Sequence, residues 1–115
     1  MLASSCPGFI CYAEKTHAGL IPYISNSKSP QAVMGSIVKQ YLSRRIGIPP
    51  EKIYHISVMP CFDKKLEASR PDFFVEGLEN VRETDCVIST GELQVLLREQ
   101  NIDLRNLPEG PLEDE

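Results

Sequence analysis

Residues 58–69 read VMPCFDKKLEAS, an apolar segment that runs through a Pro-Cys pair into a group of charged side chains. Cys61 stands where the apolar segment ends, and Lys64 and Lys65 follow it closely. Positive charge near a cysteine lowers its pKa and favours the thiolate, which is the form that binds metals. A cysteine in an apolar core needs no such neighbours. The stretch therefore indicates a strand that ends at a candidate site.

A long helix precedes this strand. It is predicted to begin at Ser29-Pro30, because serine is a favoured N-cap and proline is tolerated at the first helical position. It is predicted to end before Gly47, with Arg44 and Arg45 in its last turn. Apolar side chains recur along it at helical spacing and predict one buried face: Val33, Met34, Ile37, Val38, Tyr41 and Leu42.

Helical and strand patterns alternate along the chain. Residues 52–59 predict a strand with Ile53, Ile56 and Val58 as core positions, and residues 85–88 predict a second strand. Shorter helices are predicted at residues 9–17, 64–69 and 90–100, the last one behind the capping box Ser-Thr-Gly-Glu at residues 89–92. This order favours an α/β fold with a parallel-type sheet flanked by helices.

Two cysteines are candidate ligands because of their places in this fold. Ligands of parallel sheets bind beyond the carboxyl ends of strands, where Cys61 falls. Cys6 falls at the same edge if residues 1–4 are the tail of another strand. No Cys-x-x-Cys pair is present, so spacing alone leaves two interpretations open, metal ligands or inert core thiols. Core packing is the simpler interpretation for Cys11 and Cys86.

Composition and motifs argue against several classes of protein. The 115 residues carry a formal net charge of -4 and no basic stripe, so nucleic-acid binding is not expected. The longest apolar runs are short and interrupted by polar residues, so no membrane partner is expected either. The first residues lack the basic stretch of a signal peptide, so free thiols or metal ligands are expected rather than disulfides. There is no Gly-x-Ser-x-Gly elbow, so no motif supports a serine hydrolase. There is no glycine-rich phosphate loop, so no motif supports nucleotide binding.

Three segments in order resemble the iron-only hydrogenase family: SSCPGFICYAEK at residues 4–15, KSPQAVMGSIVK at 28–39 and MPCFDKKLEASRPDF at 59–73. Within that family they look closest to the hydrogenase-like proteins of the eukaryotic cytosol, the nuclear prelamin A recognition factor-like branch of cytosolic iron–sulfur assembly. The resemblance implies a fragment of the hydrogenase large domain. The partial domain is expected at residues 1–105, followed by an acidic, flexible tail at residues 106–115.

The resemblance also implies a cofactor. In that family four cysteines hold the large-domain cluster: one in a CPG motif, one in an MPCxxKK motif and two in a later pair. By motif match, Cys6 and Cys61 are the first two metal ligands, and Lys64 binds the cofactor by stabilising its negative charge. A 4Fe–4S cluster is thus expected in the intact protein. The later pair is missing from these residues, so the cluster is expected to be incomplete or absent in this fragment.

Ser5 bears on whether the protein is an enzyme. True hydrogenases carry a proton-relaying cysteine at this position, and a serine hydroxyl has no pKa near neutrality. The resemblance therefore implies a non-catalytic component of the cytosolic iron–sulfur assembly machinery. Other assembly proteins and apoprotein targets are the expected partners. The expected location is the cytoplasm, with the nucleus as a second location. Two alternatives stay open: the catalytic subunit of an iron-only hydrogenase, and a nuclear prelamin A-binding module.

Overall fold

The computed structural model describes residues 1–110, in which helices and two strands alternate. The helices are α1 (Pro7–Thr16), α2 (Pro30–Ser36), α3 (Ser43–Ile46), α4 (Lys64–Ser69) and α5 (Thr90–Glu99). The strands are β1 (Ile56–Met59) and β2 (Cys86–Ser89), which pair in parallel with Ile56 opposite Cys86. The predicted α/β fold with a parallel-type sheet is confirmed. Within residues 1–110, no helix has the length and apolar character to cross a membrane.

The long helix forms where local signals predict it. Ser29 caps α2, and its hydroxyl accepts a hydrogen bond from the amide of Ala32. A π-helical segment (Ile37–Leu42) joins α2 to α3, so the chain stays helical until Gly47. Gly47 has φ of +69°, in the left-handed region that glycine adopts without strain, and this ends the helix.

The predicted buried face of this helix is wrong. Its buried residues are small or polar: Gln31, Ala32, Gly35, Lys39 and Ser43. The predicted core residues Val33, Met34, Ile37, Tyr41 and Leu42 are instead exposed, and Val38 is half-buried. The polar side turns inward because it meets a loop with acidic side chains. There the Lys39 ammonium lies 2.7 Å from the Asp85 carboxylate, and Gly35 packs against Glu83.

Strand β1 likewise buries a polar side chain and exposes apolar ones. Ser57 is buried, whereas Ile56 and Val58 are nearly half exposed, so their assignment to the core is wrong. Ile53 is half-buried and lies before the strand begins. Successive side chains of a strand point to opposite faces, so burial of Ser57 leaves both neighbours on the uncovered face. The buried apolar residues are few and mostly small: Ala13, Ala32, Ala68, Val75 and Val87.

The N-terminal residues do not join the β1–β2 sheet. Leu2 forms one isolated parallel bridge with Ile24, and its amide donates to the Tyr23 carbonyl. The expectation that Cys6 follows a strand of the same sheet as Cys61 is therefore wrong. Residues 20–24, predicted to be a loop, largely form a 3-10 helix (Ala18–Tyr23).

Three further expectations concern burial and the C-terminus. Cys11 and Cys86 are half-buried rather than core residues, and the Arg70 guanidinium donates to the Cys11 sulfur. Residues 106–110 are exposed, and the rest of the predicted acidic tail, residues 111–115, lies outside the described residues. The domain boundary at residue 105 stays a prediction.

Candidate metal centre

Cys6 and Cys61 lie side by side although 55 positions separate them in the chain. Their Sγ atoms are 3.4 Å apart, and both side chains are half-buried. Cys6 is the N-cap residue of α1, and Cys61 lies in the turn between β1 and α4. The structure thus brings together the two thiols that sequence reasoning selected.

The neighbours of Cys6 make its thiol more acidic. The hydrogen bond with Cys61 lowers the pKa of Cys6, and the backbone N–H groups of Phe9 and Gly8 lower that pKa further. Partial burial and the Asp63 carboxylate act in the opposite direction on the pKa without cancelling these effects. A lower pKa favours the thiolate, which is both the nucleophilic and the metal-binding form of cysteine.

Lys64 forms a buried ion pair beside the thiols. Its ammonium lies 3.0 Å from one Glu67 oxygen, and both side chains are less than a tenth exposed. The Ser29 hydroxyl donates to the other Glu67 oxygen. The N-terminus of α2 covers this pair, so it is not a solvated surface pair. Lys65 points outward and pairs with Glu92 at 2.8 Å.

A cavity of about 200 Å³ opens next to the two cysteines. Its lining includes Ser5, Cys6, Gln31, Met59, Cys61 and Lys64. Gln31 is 2% exposed and donates its amide to the Lys64 carbonyl, yet its Oε1 has no partner within residues 1–110. An acceptor buried without a donor is costly, so the cavity is suited to a group that can satisfy it. Sequence reasoning missed Gln31, although it lies in a segment that carries the family resemblance.

Asp63 adds a carboxylate to the thiol pair. One ligand atom from each of Cys6, Cys61 and Asp63 lies within 4.8 Å of the other two. Gly8 leaves room for this approach, since a Cβ there would lie 2.2 Å from Asp63 Oδ2 and 3.4 Å from Cys6 Sγ. Sequence reasoning did not identify Asp63 as part of the site.

The donor set suits part of an iron–sulfur cluster. Such clusters are held by cysteine thiolates, and nearby hydrogen bonds and charges tune them. Two thiols, a buried ammonium and an unsatisfied amide oxygen surround one cavity here. In a cubane each thiolate binds a different iron, so the two Sγ atoms have to move further apart than 3.4 Å to hold one. Ligation by Cys6 and Cys61 and the role of Lys64 stay predictions.

Relatives of known name share most of this sequence. Residues 1–115 match the family model described as the iron only hydrogenase large subunit, C-terminal domain. The cytosolic Fe-S cluster assembly factor narfl of Danio rerio is 56% identical over 114 residues, which cover 98% of this chain and 28% of that protein. The cytosolic iron-sulfur assembly component 3 of Rattus norvegicus is 55% identical over 114 residues, with 98% and 24% covered. The chain spans about a quarter of the length of these curated relatives.

A solved structure gives the same result for the fold. An apo FeFe-hydrogenase variant from Chlamydomonas reinhardtii superposes with a TM-score of 0.91 at 42% sequence identity. The superposition covers 99% of this chain and 28% of that one. The predicted fold, a fragment of the hydrogenase large domain, is confirmed. The resemblance to this family and to its cytosolic iron–sulfur assembly branch is confirmed as well.

Proposed function

Because the chain belongs to the iron-only hydrogenase large-subunit family, we propose that it is part of a non-catalytic iron–sulfur cluster-binding component of cytosolic iron–sulfur assembly. The observation that carries the proposal is the convergence of Cys6 and Cys61, whose sulfur atoms lie 3.4 Å apart. The names of relatives at 55–56% identity support the assembly function over other uses of the fold.

The residues around the cavity have distinct roles in this proposal. Cys6 and Cys61 are two of the ligands of a 4Fe–4S cluster, which supplies a redox-active anionic centre when bound. Lys64 offsets part of that negative charge, and Glu67 holds its ammonium in place. Met59 lines the cavity and helps to exclude water from it.

The proposed partners are the other proteins of the assembly machinery and the apoproteins that receive clusters. The relatives are named as cytosolic, which supports a cytoplasmic location for this chain. A nuclear location is proposed as a second site, on the resemblance to prelamin A recognition proteins alone.

A chimera tests the cluster proposal. This chain replaces the matching segment of the Danio rerio relative, and the product is reconstituted with iron and sulfide without oxygen. The chimera is expected to show the thiolate-to-iron absorption and iron content of the parent protein. Cys61→Ala should lose part of both, whereas Cys86→Ala is a matched control that should lose neither. Unchanged iron content in the Cys61→Ala chimera would contradict the proposal.

The second candidate function is hydrogen catalysis, which the 42% identity to a solved hydrogenase favours. Ser5 argues against it, because its hydroxyl does not ionise near neutral pH and cannot relay protons as a thiol does. The loaded chimera is expected to evolve no hydrogen from reduced viologen, and Ser5→Cys alone should not change this. Hydrogen evolution that scales with iron content would instead favour the hydrogenase function.

A further inference from the structure

The β1–β2 sheet leaves one of its faces uncovered. The parallel pairing sets Ile56 opposite Cys86 and Val58 opposite Ile88, and these four side chains project to the same face. Ile56 and Val58 are 49% and 45% exposed, and Cys86 and Ile88 are half-buried. We call these four residues the open sheet face.

The open sheet face is apolar throughout. None of its four side chains carries a charge or a hydroxyl group. On the opposite face Ser57 and Val87 are buried, and helix α4, in the connection between the strands, packs against β2. Parallel sheets occur almost only where helices cover both of their faces. Within residues 1–110, the sheet therefore has one of the two helical layers that a parallel sheet needs.

We infer that the open sheet face is the docking surface for an amphipathic helix, and that this helix belongs to the part of the longer relatives that this chain does not match. Most of each relative lies outside the matched segment, since the chain covers 28% of the Danio rerio protein and 24% of the Rattus norvegicus protein. Such a helix presents a stripe of aliphatic side chains to the sheet and polar side chains to the solvent. The inference concerns the packing of the sheet and does not rest on the proposed function.

The surface area of the chain agrees with a missing layer. It exceeds that of a compact monomer of the same mass by about 2,500 Å². One partner of an obligate interface contributes about 1,000–2,500 Å², and such interfaces resemble a domain core cut in half. The excess is therefore large enough to be one side of an interface inside a domain, of which the open sheet face forms a part.

A second copy of this chain fits the open sheet face less well. A stable complex of standard size buries about 800 Å² per partner. Four side chains, none of them fully exposed, present much less area than this. A helix in the same polypeptide avoids most of the entropic cost of association, so a small apolar face is sufficient to hold it. The area therefore favours a segment of the same protein over a separate copy.

Val58→Cys measures directly whether the face is covered. The substitution is made in the 115-residue chain and in the chimera with the Danio rerio relative, both kept reduced. Alkylation at position 58 by iodoacetamide is followed by mass spectrometry, at a concentration where sedimentation velocity shows the 115-residue chain to be monomeric. We expect alkylation to be at least tenfold slower in the chimera. Glu51→Cys, at an exposed position before β1, is the control and should react at similar rates in both proteins.

Two outcomes of this experiment would overturn the inference. Equal rates at position 58 in the two proteins would show that the rest of the relative leaves the face open. Fast alkylation in the chimera, together with slowing in the 115-residue chain as its concentration rises, would show that a second copy covers the face instead.

Val58→Glu tests the same face through stability. In the chimera it buries an unpaired carboxylate, so the melting temperature should fall by at least about 5 °C. In the 115-residue chain position 58 is exposed, so the melting temperature should change by less than about 2 °C. Gln40→Glu adds the same charge at an exposed polar position and should have a small effect in both proteins. Equal effects of Val58→Glu in the two proteins would count against a covered face.

The docking helix and the cluster can fail independently. In the chimera, Cys61→Ala should lose cluster iron but leave alkylation at position 58 slow. Unchanged iron content in that variant would count against the proposed function alone. Fast alkylation at position 58 would count against the docking helix alone.

Discussion

At the scale of single residues, the neighbours of the Cys6 thiol lower its pKa. The Cys61 thiol and two backbone N–H groups lower the pKa of Cys6, so its thiolate is present at lower pH than that of an ordinary cysteine. Alkylation of Cys6 by iodoacetamide in the metal-free chain should therefore rise at a lower pH than in a model thiol. Cys61→Ala removes the largest cause and should shift this midpoint upward. Mass spectrometry of the Cys6 peptide measures it.

Cys86→Ala is the control for this experiment, because Cys86 is not among the groups that shift the pKa of Cys6. It should leave the Cys6 midpoint where it is. Equal midpoints in the wild-type and Cys61→Ala chains would show that the thiol pair does not form.

The Lys64–Glu67 pair is a second feature at the residue scale. Removing one partner of a buried pair leaves an uncompensated charge, which costs about 3–5 kcal/mol. We expect Lys64→Met to lower the free energy of unfolding by at most that amount. The loss is reduced because the Ser29 hydroxyl still donates a hydrogen bond to the Glu67 carboxylate. The double variant Lys64→Met/Glu67→Met should cost less than Lys64→Met alone. Urea unfolding measures both, and a larger loss in the double variant would argue against a buried pair.

At the scale of elements, the N-terminus of α5 depends on a capping box. Lys65, the Ser89 amide and the Ser89 hydroxyl lower the pKa of Glu92 to about 2, from an ordinary value of 4.5. A lowered pKa in the folded state stabilises the fold above pH 4.5, and this contribution is lost as the pH falls from about 4.5 to about 2. The wild type should be more stable than Glu92→Gln at neutral pH, and the two should converge near pH 2. A constant difference across this range would contradict the role of ionised Glu92.

The packing of α2 against the loop before β2 depends on Gly35. A Cβ at this position would lie 2.9 Å from the Glu83 carbonyl oxygen, which belongs to the backbone and cannot rotate away. Gly35→Ala should therefore destabilise the chain by about 1–3 kcal/mol through overpacking. Gly91→Ala is the matched control in α5, where no atom in the described part of the chain lies within 4 Å of the added methyl group. Thermal unfolding compares the two, and equal effects would argue against close packing at Gly35.

At the scale of the whole molecule, the chain is more open than its length predicts. Its radius of gyration is 17.1 Å, whereas a compact domain of this length has about 13 Å. Its accessible surface is 8848 Å², against about 6,300 Å² for a compact monomer of the same mass. Apolar side chains of the long helix and of β1 are among the exposed ones. Exposed apolar faces of this kind promote association.

We expect the isolated 115-residue chain to associate as its concentration rises. Ile37, which is 45% exposed on the long helix, is a suitable probe of this face. Ile37→Glu should reduce association while the helical circular dichroism is retained, whereas Gln40→Glu adds the same charge at an exposed polar position and should have a smaller effect. Sedimentation velocity measures association. A monomeric wild type at high concentration would show that these faces do not drive it.

Signals between residues close in sequence determined much of this protein. The Ser29-Pro30 start, the Gly47 end and the Ser89–Glu92 capping box each depend on backbone groups within a few positions, so the sequence predicts these boundaries well. Helix α4 was predicted at its observed bounds for the same reason. The two motif cysteines were candidates from their places along the chain, and family resemblance decided for ligands over inert thiols, since no local pattern links residues 55 positions apart.

Only the tertiary structure decided which faces are covered and which side chains meet. Periodicity predicts that Ile37 and Ile56 are buried, but burial depends on what packs against them. In this chain the acidic side chains of Glu83 and Asp85 attract the polar side of the helix instead. Asp63 reaches the thiols because Gly8, from a distant segment, leaves it space. Gln31 Oε1 is buried beside the cavity and has no hydrogen-bond partner among residues 1–110. These roles arise from contacts between segments far apart in sequence, and no pattern within one segment contains them.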